Sequence, residues 1–182
     1  MVGESTMIGL VRADNILKND DFKQAVRLIE QAEADRIYCR HGLAHLLDVA
    51  RIGALLLHEK AADMPELVKE LDIDMIYAAA LVHDLGRAME YADGTLHDKG
   101  SVIYAQKILP ECGFDEDEAA DIVMAVSNHR TDPAQQAGAY SRGQLLCEIL
   151  YVADKKSRPC FACDAADTCK WPDEKKNARL LY

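Results

Sequence analysis

Long apolar runs are missing from this chain. No stretch approaches the length of a membrane span, and the first 20 residues hold no apolar core of signal-peptide length. Secretion and membrane insertion are not expected, and the cytoplasm is the expected location. Positive charge is also scarce: 21 Lys and Arg stand against 31 Asp and Glu, a formal net charge of −10. Nonspecific nucleic-acid binding depends on neutralising phosphates with cations, so that partner class is not expected. A small phosphorylated molecule remains compatible, because a metal ion and a few local cations offset the charge. The alternation of polar and apolar residues that marks a half-buried strand does not occur, and there is no internal repeat or long linker. The six cysteines, lacking a signal peptide upstream, are expected to stay reduced rather than form disulfides.

What is present is helical periodicity. With 182 residues and 49% hydrophobic content, the chain is long and apolar enough for one domain with a proper core. The pattern predicts helices at 14–36, 41–61, 73–85, 98–112, 115–129, 141–157 and 173–181, an all-α fold. Signals at the joints agree. Gly113 follows one helix, Asp115 is placed to cap the next, Asp132-Pro133 interrupts the chain after His129, and Asp93-Gly94 marks a turn within a connection at 86–97.

The run Ile76-Tyr77-Ala78-Ala79-Ala80-Leu81-Val82 suits a helix buried on most sides, and it ends in His83-Asp84. Taking a carboxylate out of water costs several kcal/mol unless a cation or strong donors compensate it. Beside a neutral imidazole it forms a natural pair of divalent-metal ligands. Two other segments present the same combination. His41, His45 and Asp48 fall near one face of an apolar helix, and the run Leu145–Ala153 ends in Asp154, followed by Lys155 and Lys156. Three such segments in one short chain point to a metal centre.

In order, His45, His83-Asp84 and Asp154 resemble the His…His-Asp…Asp signature of the HD superfamily of metal-dependent phosphohydrolases. The surrounding text is His-Leu-Leu-Asp-Val-Ala, Leu-Val-His-Asp-Leu-Gly-Arg and Leu-Tyr-Val-Ala-Asp-Lys-Lys-Ser. The resemblance covers about residues 40–157 and implies a single all-α HD-domain helical bundle across 1–182. Val49-Ala50 follow His45 at the family's spacing, so His45 rather than His41 is the implied ligand. His41 is left for the second shell, for substrate, or for a capping role. The implied metal ligands are His45, His83, Asp84 and Asp154. His97, ahead of Gly100-Ser101, and His129, at the end of the following helix, resemble the histidines of members that hold two metals. They would bind a second ion, with Asp84 as the bridge, or grip phosphate. The Gly-Tyr-Pro motif of the cyclic-dinucleotide branch is absent.

The donor set contains no thiolate, so Mn, Fe, Co, Ni, Mg and Zn all fit, as one ion or two. Asp84, Arg87 and Lys155 are the expected catalytic residues, the two cations meeting phosphate, with Arg130 a weaker candidate. The resulting expectation is hydrolysis of a phosphomonoester, phosphodiester or phosphoanhydride in a nucleotide or related small molecule. A nucleotide-sensing HD domain without catalysis and an HD-type di-iron oxygenase are the alternatives, and a homodimer is compatible with the chain. His58 reads as a surface residue.

Residues 158–182 lie outside the signature and read as a cysteine-containing loop followed by a helix. Cys160, Cys163 and Cys169 have the spacing C-x2-C-x5-C. A structural zinc or an iron–sulfur cluster normally takes four ligands, and no fourth lies nearby in sequence; Cys147 or a histidine would have to come from elsewhere, and Cys39, Cys112 and Cys147 otherwise need no special reading. Half-buried reduced thiols are the expectation, with a structural metal or a redox-sensitive disulfide as alternatives.

Overall fold

The helices follow one another as α1 (Val11–Lys18), α2 (Asp20–Ala32), α3 (Leu43–Lys60), α4 (Pro65–Glu70), α5 (Ile73–Val82), α6 (Arg87–Asp93), α7 (His97–Glu111), α8 (Glu116–Asn128) and α9 (Arg142–Lys156). This is a computed structural model, and it describes residues 9–135 and 140–180. Among the described residues there is no strand.

The apolar run around Ala79 lies at the centre. α5 packs against α1, α3, α7, α8 and α9, and the small side chains of Ala78, Ala79 and Ala80 let those neighbours close in. Met75, Ile76, Leu81 and Val82 are buried beside them. Each large aliphatic side chain so buried contributes about 1.5–3 kcal/mol. α3 approaches α5 closely at Gly53, where a Cβ would lie only 2.8 Å from Ile76 Cγ2. The N-terminus of α5 is tied to α1 by the buried Asp74, which accepts a hydrogen bond from the Ala13 amide at 3.0 Å. Its negative charge sits where the helix dipole favours it.

Local chemistry explains where the structure departs from the periodic reading. The helix expected over 14–36 is two helices. Asn19 takes an extended backbone and its side chain accepts from the amides of Asp21 and Phe22, which stops α1 and starts α2. α4 opens with Pro65 in its first turn, and α6 occupies most of the connection expected over 86–97. Gly94, in the left-handed region at φ 84°, ends α6 as the Asp93-Gly94 turn suggested. Asp115 and Glu118 form a reciprocal capping box at the start of α8, and Ser141 and Gln144 another at α9.

The helix expected over 173–181 does not form within the described residues. Only a single 3-10 turn, Asp173–Lys175, is present. The charged run Asp173-Glu174-Lys175-Lys176 has no apolar stripe to bury. Instead, the Asn177 amide donates to the backbone carbonyls of Lys155, Lys156 and Arg158 and holds this segment against the end of α9.

One crossing positions the site directly. The chain passes from α5 into α6 through Gly86, where it lies against the first turns of α7 at Gly100. A Cβ on Gly86 would stand 1.9 Å from the His97 carbonyl oxygen and 2.3 Å from the Ser101 nitrogen. The Gly86 amide donates to Ser101 Oγ at 2.9 Å, which locks the crossing.

Candidate metal centre

Helix ends deliver the predicted ligands to one place. His45 projects from the first turn of α3, and His83 caps the C-terminus of α5 with Asp84 next to it. His97 begins α7, His129 caps α8, and Asp154 lies in the last turn of α9. These side chains form two triads of candidate ligands, His45–His83–Asp154 and Asp84–His97–His129. Within each triad the ligand atoms lie within 4.8 Å of one another.

Asp84 joins the two. Its Oδ2 is 3.7 Å from His45 Nε2 and 3.5 Å from His83 Nε2. Its Oδ1 is 3.9 Å from His97 Nε2 and 4.0 Å from His129 Nε2. His45 Nε2 is also 3.6 Å from Asp154 Oδ1. These separations are too long for hydrogen bonds. They suit atoms that share an ion, since two ligands each about 2.1 Å from a metal stand up to about 4 Å apart. His45 Nε2, His83 Nε2, Asp84 Oδ1 and Arg87 Nε are buried with no hydrogen-bond partner. Orphaned polar atoms in a buried site are costly, and a divalent cation among them would satisfy the first three. The donor set therefore fits a metal.

The far side of each ring fixes which nitrogen carries the proton. His83 Nδ1 lies 2.7 Å from the Ala80 carbonyl and His129 Nδ1 2.6 Å from the Val126 carbonyl. Both acceptors are i−3 carbonyls in the last turn of a helix, that of Val126 also taking the His129 amide. A carbonyl only accepts, so Nδ1 holds the proton and Nε2 keeps its lone pair for a metal. His97 Nδ1 faces the Glu90 carboxylate at 3.2 Å, with the same result. The Ser157 hydroxyl donates to the Asp154 carbonyl at 2.8 Å, leaving its oxygen to accept from His45 Nδ1 at 3.4 Å.

Electrostatics bring these groups to the ionisation state that ligation needs. Burial lowers the pKa of His83 to about 4 and lowers those of His45 and His129, against the attraction of Asp84. Burial alone would raise the Asp84 carboxyl, but His83 and Arg87 outweigh it and hold the group well below the usual range. Asp154 is likewise held down, to about 2, with Lys155 and His83 overcoming burial. Neutral imidazoles and ionised carboxylates result.

The two expected phosphate-binding cations are already engaged with the Asp84 and Asp154 carboxylates. Arg87 Nε stands 3.0 Å from Asp84 Oδ1 as an ion pair, and Lys155 Nζ is 2.5 Å from Asp154 Oδ2. Both border a cavity of about 1430 Å³ into which Asp84, His97, His129 and Asp154 also face. Arg130 lines it too, exposed. His41 belongs to neither triad. Its ring packs edge-on to His45 with centroids 5.5 Å apart, and its Nδ1 pairs with Glu33 at 2.6 Å. Glu33 also accepts from Tyr91. Burial pushes the Glu33 carboxyl up, but those hydrogen bonds win and bring it down to about 2. His58 is exposed, as expected.

Sequence reasoning did not single out Glu33, Glu90, Tyr91 or Ser157. Glu90 carried a usable signal once α6 is recognised, since it follows Arg87 by one helical turn and faces the same side. Glu33 and Ser157 carried none.

The model of the HD domain matches residues 42–158, and the chain belongs to that family. An uncharacterized protein of Clostridium beijerinckii is 31% identical over 171 residues, covering 94% of this chain and 99% of the relative. The crystal structure of a predicted HD superfamily hydrolase from an uncultured Thermotogales bacterium superposes with a TM-score of 0.54. It shares 23% identity, and the match covers 85% of this chain and 80% of that one. At that identity the likeness speaks for the fold, which is the all-α HD fold. Among the described residues no helix is long and apolar enough to cross a membrane.

Proposed function

We propose that this chain is a metal-dependent phosphohydrolase with a two-ion centre, acting on a nucleotide or a related small phosphate compound. The observation behind this reading is the buried Asp84 carboxylate with one oxygen toward each histidine pair. His45, His83 and Asp154 would hold one ion and His97 and His129 the other, with Asp84 between them. Bound there, divalent ions would supply Lewis-acid polarisation of a phosphoryl oxygen and lower the pKa of water.

The protein's own residues do the rest. The Nδ1 contacts of the four histidines keep each ring in one orientation. Arg87 and Lys155 carry positive charge at the cavity edge beside the ligand carboxylates, where a phosphate facing the centre would meet it. The cavity exceeds the several hundred Å³ typical of small-molecule sites. Tyr38 and Trp171 line it together with Arg36, Arg40, Arg158 and Lys170, a combination suited to a nucleobase and several phosphates.

The test is phosphate or nucleotide release by the purified chain with Mn, Co, Mg and Fe supplied in turn, Fe under anaerobic conditions. Monophosphates, dinucleoside polyphosphates, alarmones and cyclic nucleotides are the substrates. Turnover of one class is expected. Inertness with every class and metal, together with oxygen consumption on a diol, would replace this reading with the oxygenase. Inertness in both assays, with a nucleotide still raising thermal stability, would replace it with a nucleotide sensor.

A further inference from the structure

Tertiary structure brings a fourth cysteine to the C-x2-C-x5-C segment. Cys39, in the connection between α2 and α3, lines the same cavity as Cys160, Cys163 and Cys169. Its neighbour Tyr38 donates from its hydroxyl to the carbonyl of Thr168, the residue before Cys169, at 3.2 Å. The two segments are thus joined beside the cysteines, 130 residues apart in sequence. The loop folds back on itself through short 3-10 turns. The Cys163 amide donates to the Cys160 carbonyl at 3.3 Å, and the Cys169 amide to the Ala166 carbonyl at 3.3 Å. All four thiols are free and half-buried. Burial raises the pKa of the Cys39 thiol, and so do the sulfurs of Cys160, Cys163 and Cys169, while Arg158 lowers it.

We propose that Cys39, Cys160, Cys163 and Cys169 form a four-thiolate site for a zinc ion or an iron–sulfur cluster, separate from the histidine–aspartate centre.

The loop's own construction supports a staple. Between 158 and 180 its structure is short turns, and Ala165 is its buried hydrophobic residue, while Phe161 and Trp171 remain 45% and 38% exposed. A segment with so little core gains stability from a metal that ties it to a neighbour. Four thiolates meet the ligand count of both metal classes. Ligation releases each thiol proton to solvent. Arg158, which lowers the pKa of the Cys39 thiol and lines the same cavity, would offset part of the added negative charge. Among the described residues, the groups of three candidate ligands gathered within 4.8 Å are the two histidine–aspartate triads, so the thiols stand wider. In a tetrahedral zinc site the sulfurs would stand about 3.8 Å apart, whereas a four-iron cluster accepts a wider set. Either centre would pin residues 35–41, which lead into His41, to the loop that follows Ser157, and so stiffen one wall of the catalytic cavity.

The test uses the full chain, purified anaerobically, with zinc, iron and acid-labile sulfide measured per protein. The Asp84→Ala background removes the bridge of the other centre. About one zinc per chain there, or about four irons with matching sulfide and a visible thiolate-to-iron absorption, is the expected result. That content should be lost in Asp84→Ala/Cys163→Ser and reduced in Asp84→Ala/Cys39→Ser, with far-UV circular dichroism reporting that both remain folded. Thiol titration of the unmutated chain is independent of any variant. Ligated cysteines should react slowly until a chelator or acid removes the metal. Metal that persists in both cysteine variants would overturn the proposal. So would immediate titration of all four thiols in the native protein, or their recovery as disulfides without metal.

Discussion

Replacing Gly86 by alanine tests how the fold places the Asp84–His97–His129 triad. The backbone at Gly86 has φ −60°, which any residue tolerates, so the effect comes from space alone. The added Cβ would lie 1.9 Å from the His97 carbonyl oxygen and 2.3 Å from the Ser101 nitrogen. Both are backbone atoms, so no side-chain rotation relieves the clash, and α7 must move away by roughly an ångström or more to restore ordinary contact. Overpacking of this kind costs about 1–3 kcal/mol or more, a fall in Tm of about 3–10 °C for a chain of this size. The displacement also breaks the Gly86–Ser101 hydrogen bond and carries His97 with α7. His45, His83 and Asp154 sit on other elements and stay in place. Gly86→Ala should therefore bind one ion normally and lose affinity at the Asp84–His97–His129 side. Calorimetry with metal titration measures both effects. A variant with unchanged Tm and two ions bound at native affinity would refute the argument.

Other perturbations separate the parts of the site. Asp84→Ala should lower phosphohydrolase turnover by more than about a hundredfold, since loss even of a group behind a ligand costs 10–100-fold; native turnover at matched metal content would remove Asp84 from the centre. His45→Ala should abolish one metal equivalent and His97→Ala or His129→Ala the other, as read by metal analysis; unchanged stoichiometry in all three would dissolve the two-triad arrangement. Glu33 is held down to about 2 from an ordinary 4.5, so it contributes stability that is complete above pH 4.5 and lost as pH falls toward 2. That contribution amounts to about 3 kcal/mol at most. Denaturant unfolding of wild type and Glu33→Gln should show wild type the more stable at neutral pH and the two converging near pH 2; a difference that stays constant with pH would count against the His41–Glu33–Tyr91 linkage.

Much of the fold was legible because helix formation is local. Periodicity located α3, α5, α7, α8 and α9, and those are the helices that carry the candidate ligands. It failed where a single side chain outcompeted the pattern, as at Asn19, or where a helix was too short to show a period, as in α4 and α6. The C-terminal helix was misread because charged residues with high helical propensity do not hold a helix without an apolar face to bury.

The chain's order alone determined which residues could bind metal, because His45, His83-Asp84 and Asp154 each sit at an apolar helix and a buried carboxylate needs a cation. The family resemblance had already set His97 and His129 apart for a second ion with Asp84 as the bridge; only the tertiary structure showed which oxygen of Asp84 faces which histidine. Only it showed Arg87 and Lys155 paired with Asp84 and Asp154, Glu90 and Ser157 behind His97 and His45, and Cys39 beside a loop more than a hundred residues away. The triads, the Ser157–His45 contact and the placement of Cys39 join elements remote in sequence, set by how helix ends converge on α5, and such contacts leave no local pattern to read.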